Sequence, residues 1–153
     1  MAALTSAQSG NFTASATWGG STPADGDTFT ITNGHTVTVD SGITTPTNGF
    51  GDSYIYGTLK LASSANTPPI LRMDGRLYIN TNGLLWCQDG AHIQITGTSG
   101  ETHGIWQENQ DGASVIMEGS DGMPYTTLSS NTNENATSFA VASASNFAVG
   151  ELS

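Results

Sequence analysis

One pattern restricts the fold of this chain more than any other: a small residue followed by apolar side chains two and four positions later. It occurs as Gly57-Thr-Leu59-Lys-Leu61, Gly75-Arg-Leu77-Tyr-Ile79, Gly83-Leu-Leu85-Trp-Cys87, Ala91-His-Ile93-Gln-Ile95 and Ala113-Ser-Val115-Ile-Met117. Period-two apolarity over so short a stretch describes a β-strand with one buried face. Turn pairs such as Asp74-Gly75, Asn82-Gly83, Asp89-Gly90 and Asp111-Gly112 lie between the units. From Leu59 the apolar positions step to Leu77, Ile93 and Val115, at uneven intervals that resemble a repeat. A repeat of roughly 20 residues is too small to bury its own apolar face and has to stack on its neighbours. The expectation is therefore an all-β chain folded as a β-solenoid, or β-helix, of short strands. A β-sandwich of hairpins, with closely spaced strands and turns, is the alternative.

The same alternation starts earlier. Phe29, Ile31, Val37 and Val39 point one way and Thr28, Thr30, Thr36 and Thr38 the other. Asn33-Gly34 between them is a tight-turn signal, which suggests a hairpin. Residues 41–53, with Pro46 and several glycines, read as a loop. The expected division is residues 1–27 as an N-terminal arm and lead-in segment, and 28–128 as the solenoid-like domain. Residues 129–153 are expected to form a linker and the start of a further β module. That module repeats Phe139-Ala-Val141 and Phe147-Ala-Val149 and stops without a polar cap. Since a solenoid end needs cover, it is expected to be truncated or completed by another chain. Phe139, Val141, Phe147 and Val149 are the candidate assembly-edge residues.

Composition narrows the function. Thr, Ser, Asn and Gly dominate the chain and only 10% of it is charged, so the surface is polar mostly without charge. Lys60, Arg72 and Arg76 face thirteen acids for a net charge of −10. That balance lacks the clustered basic footprint that nucleic acid or an anionic membrane surface requires. No apolar run approaches the ~20 residues of a membrane-spanning helix, and membrane insertion is not expected. The segment MAALTSAQSGNF has neither a basic start nor an apolar core, so no secretory signal is expected. Cys87, the only cysteine, lies in Leu84-Leu85-Trp86-Cys87 and is expected to be a buried, inert thiol.

The run Trp18-Gly19-Gly20…Pro23-Ala-Asp-Gly26-Asp27-Thr-Phe29-Thr-Ile31…Gly34-His-Thr-Val37-Thr-Val39-Asp40 resembles the opening of the eight-glycine domain family. Tyr54-Ile-Tyr-Gly57-Thr-Leu59 and Met73-Asp-Gly75-Arg-Leu77 are similar to that family's Gly-x-Leu turns, and the resemblance covers roughly residues 17–95. It implies a β-helical module of the kind found in large extracellular, membrane-attached or carbohydrate-related proteins and in structural proteins of tailed bacteriophages. The segment Thr137-Ser-Phe139-Ala-Val141…Phe147-Ala-Val149-Gly150 resembles a short β module that recurs in phage tail proteins. The function these resemblances imply is that of a virion structural protein: the N-terminal attachment and assembly module of a tail fibre or spike, at the tail or capsid exterior. Its partners would be identical subunits, as in a trimer, and other virion proteins. A capsid decoration protein is the alternative of the same class.

Few residues suggest chemistry. Asp25-Gly26-Asp27 could offer two carboxylates to Ca²⁺, but the later ligands of such a loop are missing, and a turn whose carboxylates accept backbone N–H groups is expected. His35, His92 and His103 have no metal-ligand spacing, and His92 falls at an outward position. The stretch Glu101–Asp111 combines an aromatic, amides and acids. Trp106, Gln107, Glu108, Asn109 and Asp111 are the candidate contacts for a host-surface glycan, as in a carbohydrate-binding module or the non-catalytic part of a glycan-degrading protein. Tyr125 is a second aromatic of this type. A glycosidase using Glu108 with Glu101 or Asp111 would require two carboxyls at a separation the spacing does not fix. Trp18 and Trp86 read as packing residues. No catalytic residue, metal or cofactor is expected, and enzymatic turnover is not.

Overall fold

The structure, a computed structural model, describes residues 1–40, 48–62, 68–96, 103–107 and 112–118. Residues Met1–Glu118 form one compact unit, and Gly119–Ser153 fall in a second that lies outside the described residues. The strands are β1 (Ala3–Thr5), β2 (Gly10–Asn11), β3 (Thr28–Ile31), β4 (Thr36–Val39), β5 (Ser53–Ile55) and β6 (Thr58–Leu61). They continue as β7 (Ile70–Met73), β8 (Arg76–Ile79), β9 (Leu84–Cys87), β10 (His92–Ile95), β11 (Gly104–Gln107) and β12 (Ser114–Met117). A single 3-10 turn, Ser15–Trp18, is the one helical element among the described residues.

Every strand pair among the described residues is parallel, and partners are one coil apart in sequence. Thr30 aligns with Tyr54, and Ser53 with Leu77 on the coil after it. The first sheet runs β1-β3-β5-β8-β11, the second β2-β4-β6-β9-β12, and the third pairs β7 with β10. Phe50 bridges to Met73 and extends the third face by one position. The result is a three-sided β-solenoid among the described residues, two of its sides five strands deep, as the repeating units suggest. The uneven intervals from Leu59 through Leu77 to Ile93 do not represent the coil, because they step between faces. Leu59 is on the second sheet, Leu77 on the first and Ile93 on the third. Leu59 stacks instead on Leu85, its register partner in the next coil.

The Asn33-Gly34 hairpin does not form. β3 and β4 belong to different sheets, and Asn33-Gly34 turns a corner of the coil, with His35 N–H donating to the Thr32 carbonyl at 3.0 Å. The local turn chemistry is as expected, but each strand finds a better-matched neighbour one coil away. Val37 meets Leu59 and Val39 meets Leu61, which aligns apolar with apolar on the inner face and Thr38 with Lys60 outside. Residues 1–27, expected as an arm and lead-in segment, supply the first rung: β1 pairs with β3 and β2 with β4.

The core is a set of columns along the stack. Ile31, Ile55 and Ile79 lie in register on the first sheet, and Val37, Leu59 and Leu85 on the second, all fully buried. Burying each such side chain is worth about 1.5–3 kcal/mol. At the N-terminal end the columns meet an aromatic plug. Phe12 packs edge-on against Trp18 and Phe29, with ring centroids 5.1 and 5.3 Å away, and Phe50 lies 5.4 Å from Phe29. Trp18 and Phe12 are buried, and the Trp18 indole N–H donates to the Phe12 carbonyl at 2.6 Å. Trp18 is thus the packing residue its sequence context suggests.

Asp25 and Asp27 secure the turn before β3. Asp25 accepts N–H bonds from Asn48 and Gly49, both at 3.1 Å, and Asp27 accepts from Ala24 at 3.0 Å and from Ala2. These backbone donors, that of Ala2 foremost, hold the Asp27 carboxyl below the usual carboxylate range.

Candidate functional site

Two surfaces of the solenoid differ from the rest. The first is its end at β10, β11 and β12, each of which has a strand partner on one side only among the described residues. Residues that continue the inner columns are exposed here. Ile105 follows Leu77 and is 37% exposed where Leu77 is 0%, and Ile95 follows Met73 at 42% against 0%. Met117 follows Cys87 at 65% against 7%. The opposite end is closed by Phe12 and Trp18. Among the described residues the two ends therefore differ in their apolar cover: β1 and β2 are edge strands as β10–β12 are, but the inner columns are capped by Phe12 and Trp18 at one end and exposed at the other.

The second surface is the outer face of the first sheet. Register places Thr30, Tyr54, Tyr78 and Trp106 in one outward column across four rungs. Tyr54 and Tyr78 stack face to face, 4.9 Å between centroids and 7° between planes, close to the ~4.8 Å spacing of adjacent strands. Arg76 Nη1 donates to Tyr78 Oη at 2.8 Å, and its guanidinium lies 5.9 Å from the Trp106 ring centroid. That hydrogen bond is also the main reason the Arg76 pKa is raised. The Arg76 backbone N–H donates to Asp52 Oδ1 at 2.7 Å.

Of the candidate glycan contacts, Trp106 projects outward from β11. Gln107 follows it on the same strand and donates its side-chain N–H to the Ala113 carbonyl at 2.9 Å. Glu108, Asn109 and Asp111 lie outside the described residues, as do Glu101, Tyr125 and the four candidate edge residues Phe139, Val141, Phe147 and Val149. Tyr54, Tyr78 and Arg76 were missed by sequence reasoning. The signal was the register from coil to coil, which puts three aromatics in one column once the coil length is known.

The remaining polar groups support structure. Ser6 Oγ sits 2.9 Å from His35 Nδ1, accepts the Thr32 N–H at 2.9 Å and is buried, so this Ser–His contact joins the first rung to the corner after β3. His92 is exposed on β10, as its outward position implies. Trp86 faces outward rather than into the core, partly covered by Lys60, whose Nζ lies 4.5 Å from the ring centroid. No group of three or more His, Cys, Asp or Glu side chains suited to a metal occurs among the described residues. Comparison with family models, with curated proteins and with solved structures gives no match.

Proposed function

We propose that this chain is a virion structural protein, the attachment and assembly module of a tail fibre or spike of a tailed bacteriophage, working by docking rather than by turnover. The observation that supports this reading is the apolar exposure of the β10–β12 rung, set against the capped columns at the other end. Among the described residues β10–β12 have a partner on one side only, and their open edges, next to Ile95, Ile105 and Met117, are what a β-strand partner pairs with and what an apolar interface buries. Low charge and a Thr/Ser/Gly-rich exterior fit a module held by geometry, and the resemblance to the eight-glycine family adds the virion setting. Identical subunits are the first partners, a trimer being the form expected of a fibre, with other virion proteins beyond them.

Light scattering across a dilution series tests this. The reading expects a stable trimer or larger ring that Ile105→Lys combined with Met117→Lys dissociates. A monomer at every concentration would overturn it.

A further inference from the structure

We propose that the outer face of the first sheet is a binding site for a neutral saccharide, with Trp106 as the stacking platform and the Tyr54–Tyr78 column as its continuation. This inference is independent of the assembly reading, since it concerns the flank of the solenoid and not its end.

Three features support it. The first is the exposure of large rings in register on one outer face: Trp106 is 53% exposed and Tyr54 37%. Aromatic side chains have the most apolar area to lose by staying in water, so a column of them on an outer face indicates a partner. The second is geometry. Tyr54 and Tyr78 each give one ring face to the other, whereas among the described residues no other ring packs on Trp106. Gly104, across from Arg76 on the next rung, has open space where a side chain would stand. Trp106 therefore lies beside a notch, with the Arg76 guanidinium near its ring and the Tyr78 hydroxyl one rung away.

The third feature is charge. Arg76 and Asp52 balance on this face, and the chain as a whole is at −10. Such a surface has no surplus positive charge to hold a sulfate, phosphate or uronate. It offers an aromatic plane for the C–H face of a pyranose and phenol and guanidinium groups for its hydroxyls, the combination a neutral sugar requires. Strand spacing sets the pitch of the site, so an oligosaccharide running along the solenoid axis meets a new side chain at each rung.

The probes are cellotetraose, maltotetraose and N-acetylchitotetraose, with tetragalacturonate as the acidic control, titrated by calorimetry and by ligand-observed NMR. At least one neutral tetrasaccharide is expected to bind, Trp106→Ala to weaken it about tenfold, and Tyr78→Phe to weaken it by a smaller factor. Trp106→Tyr, which keeps a ring on the column, is expected to retain most of the binding and covers the case in which the alanine variant fails to fold. Failure of all three neutral probes, undiminished binding by a folded Trp106→Ala protein, or preference for tetragalacturonate would overturn the proposal.

Discussion

At the residue scale, the corners decide what the chain tolerates. A Cβ on Gly83 would overlap the Ile55 carbonyl oxygen of the rung below, and one on Gly57 would overlap the carbonyls of Thr32 and His35. Gly34 sits at a φ of +84° with open space around it. Gly83→Ala is therefore expected to lose about 2–3 kcal/mol or more through overlap with backbone. Gly34→Ala should lose only about 1 kcal/mol through left-handed strain. Urea unfolding of the two variants measures the contrast, and equal losses would place the stacking contact elsewhere. Cys87 makes a second case. Burial raises its pKa from the ordinary 9.0 to about 11, so the folded state holds the neutral thiol where the unfolded chain ionises. Its contribution to stability is full below pH 9 and is lost as pH rises through 11. In the native protein at about pH 8 a thiol reagent should react with Cys87 far more slowly than after unfolding. Rapid native labelling would contradict the burial.

At the level of elements, what was legible in the sequence was the strand and what was illegible was its partner. Period-two alternation identified Leu59, Leu77 and Leu85 as inward and Lys60 and Arg76 as outward, because pleating alone fixes that choice. It could not say that β3 pairs with β5 rather than β4, since Asn33-Gly34 serves a solenoid corner as readily as a hairpin. The first rung was hidden for another reason. Phe12 and Trp18 have no periodic neighbours, and their value lies in closing the columns of later coils. Trp18→Ala removes the indole and its hydrogen bond to Phe12, and is expected to cost about 3–5 kcal/mol. Hydrogen exchange should then show lost protection first in β1 and β2, while β6 and β9 remain protected. Uniform loss across the stack would mean that the plug is not a separate closing element.

On the scale of the whole unit 1–118, parallel rungs stack in one register, with the columns capped at Trp18 and exposed at β10–β12 among the described residues. The proposed flank site was half legible: Trp106 was singled out from its polar surroundings, whereas Tyr54, Tyr78 and Arg76 needed the coil length to become its neighbours. The most direct test is a disulfide across two rungs. In a Cys87→Ala background, Thr38→Cys with Lys60→Cys places two outward side chains in register on adjacent strands, at a spacing a disulfide spans. The solenoid predicts that this pair oxidises readily and raises the unfolding midpoint. A second pair, Phe29→Cys with Thr38→Cys, would be opposite in a hairpin turning at Asn33-Gly34. Cross-linking of that pair, with Thr38 and Lys60 left free, would contradict the fold and everything built on it.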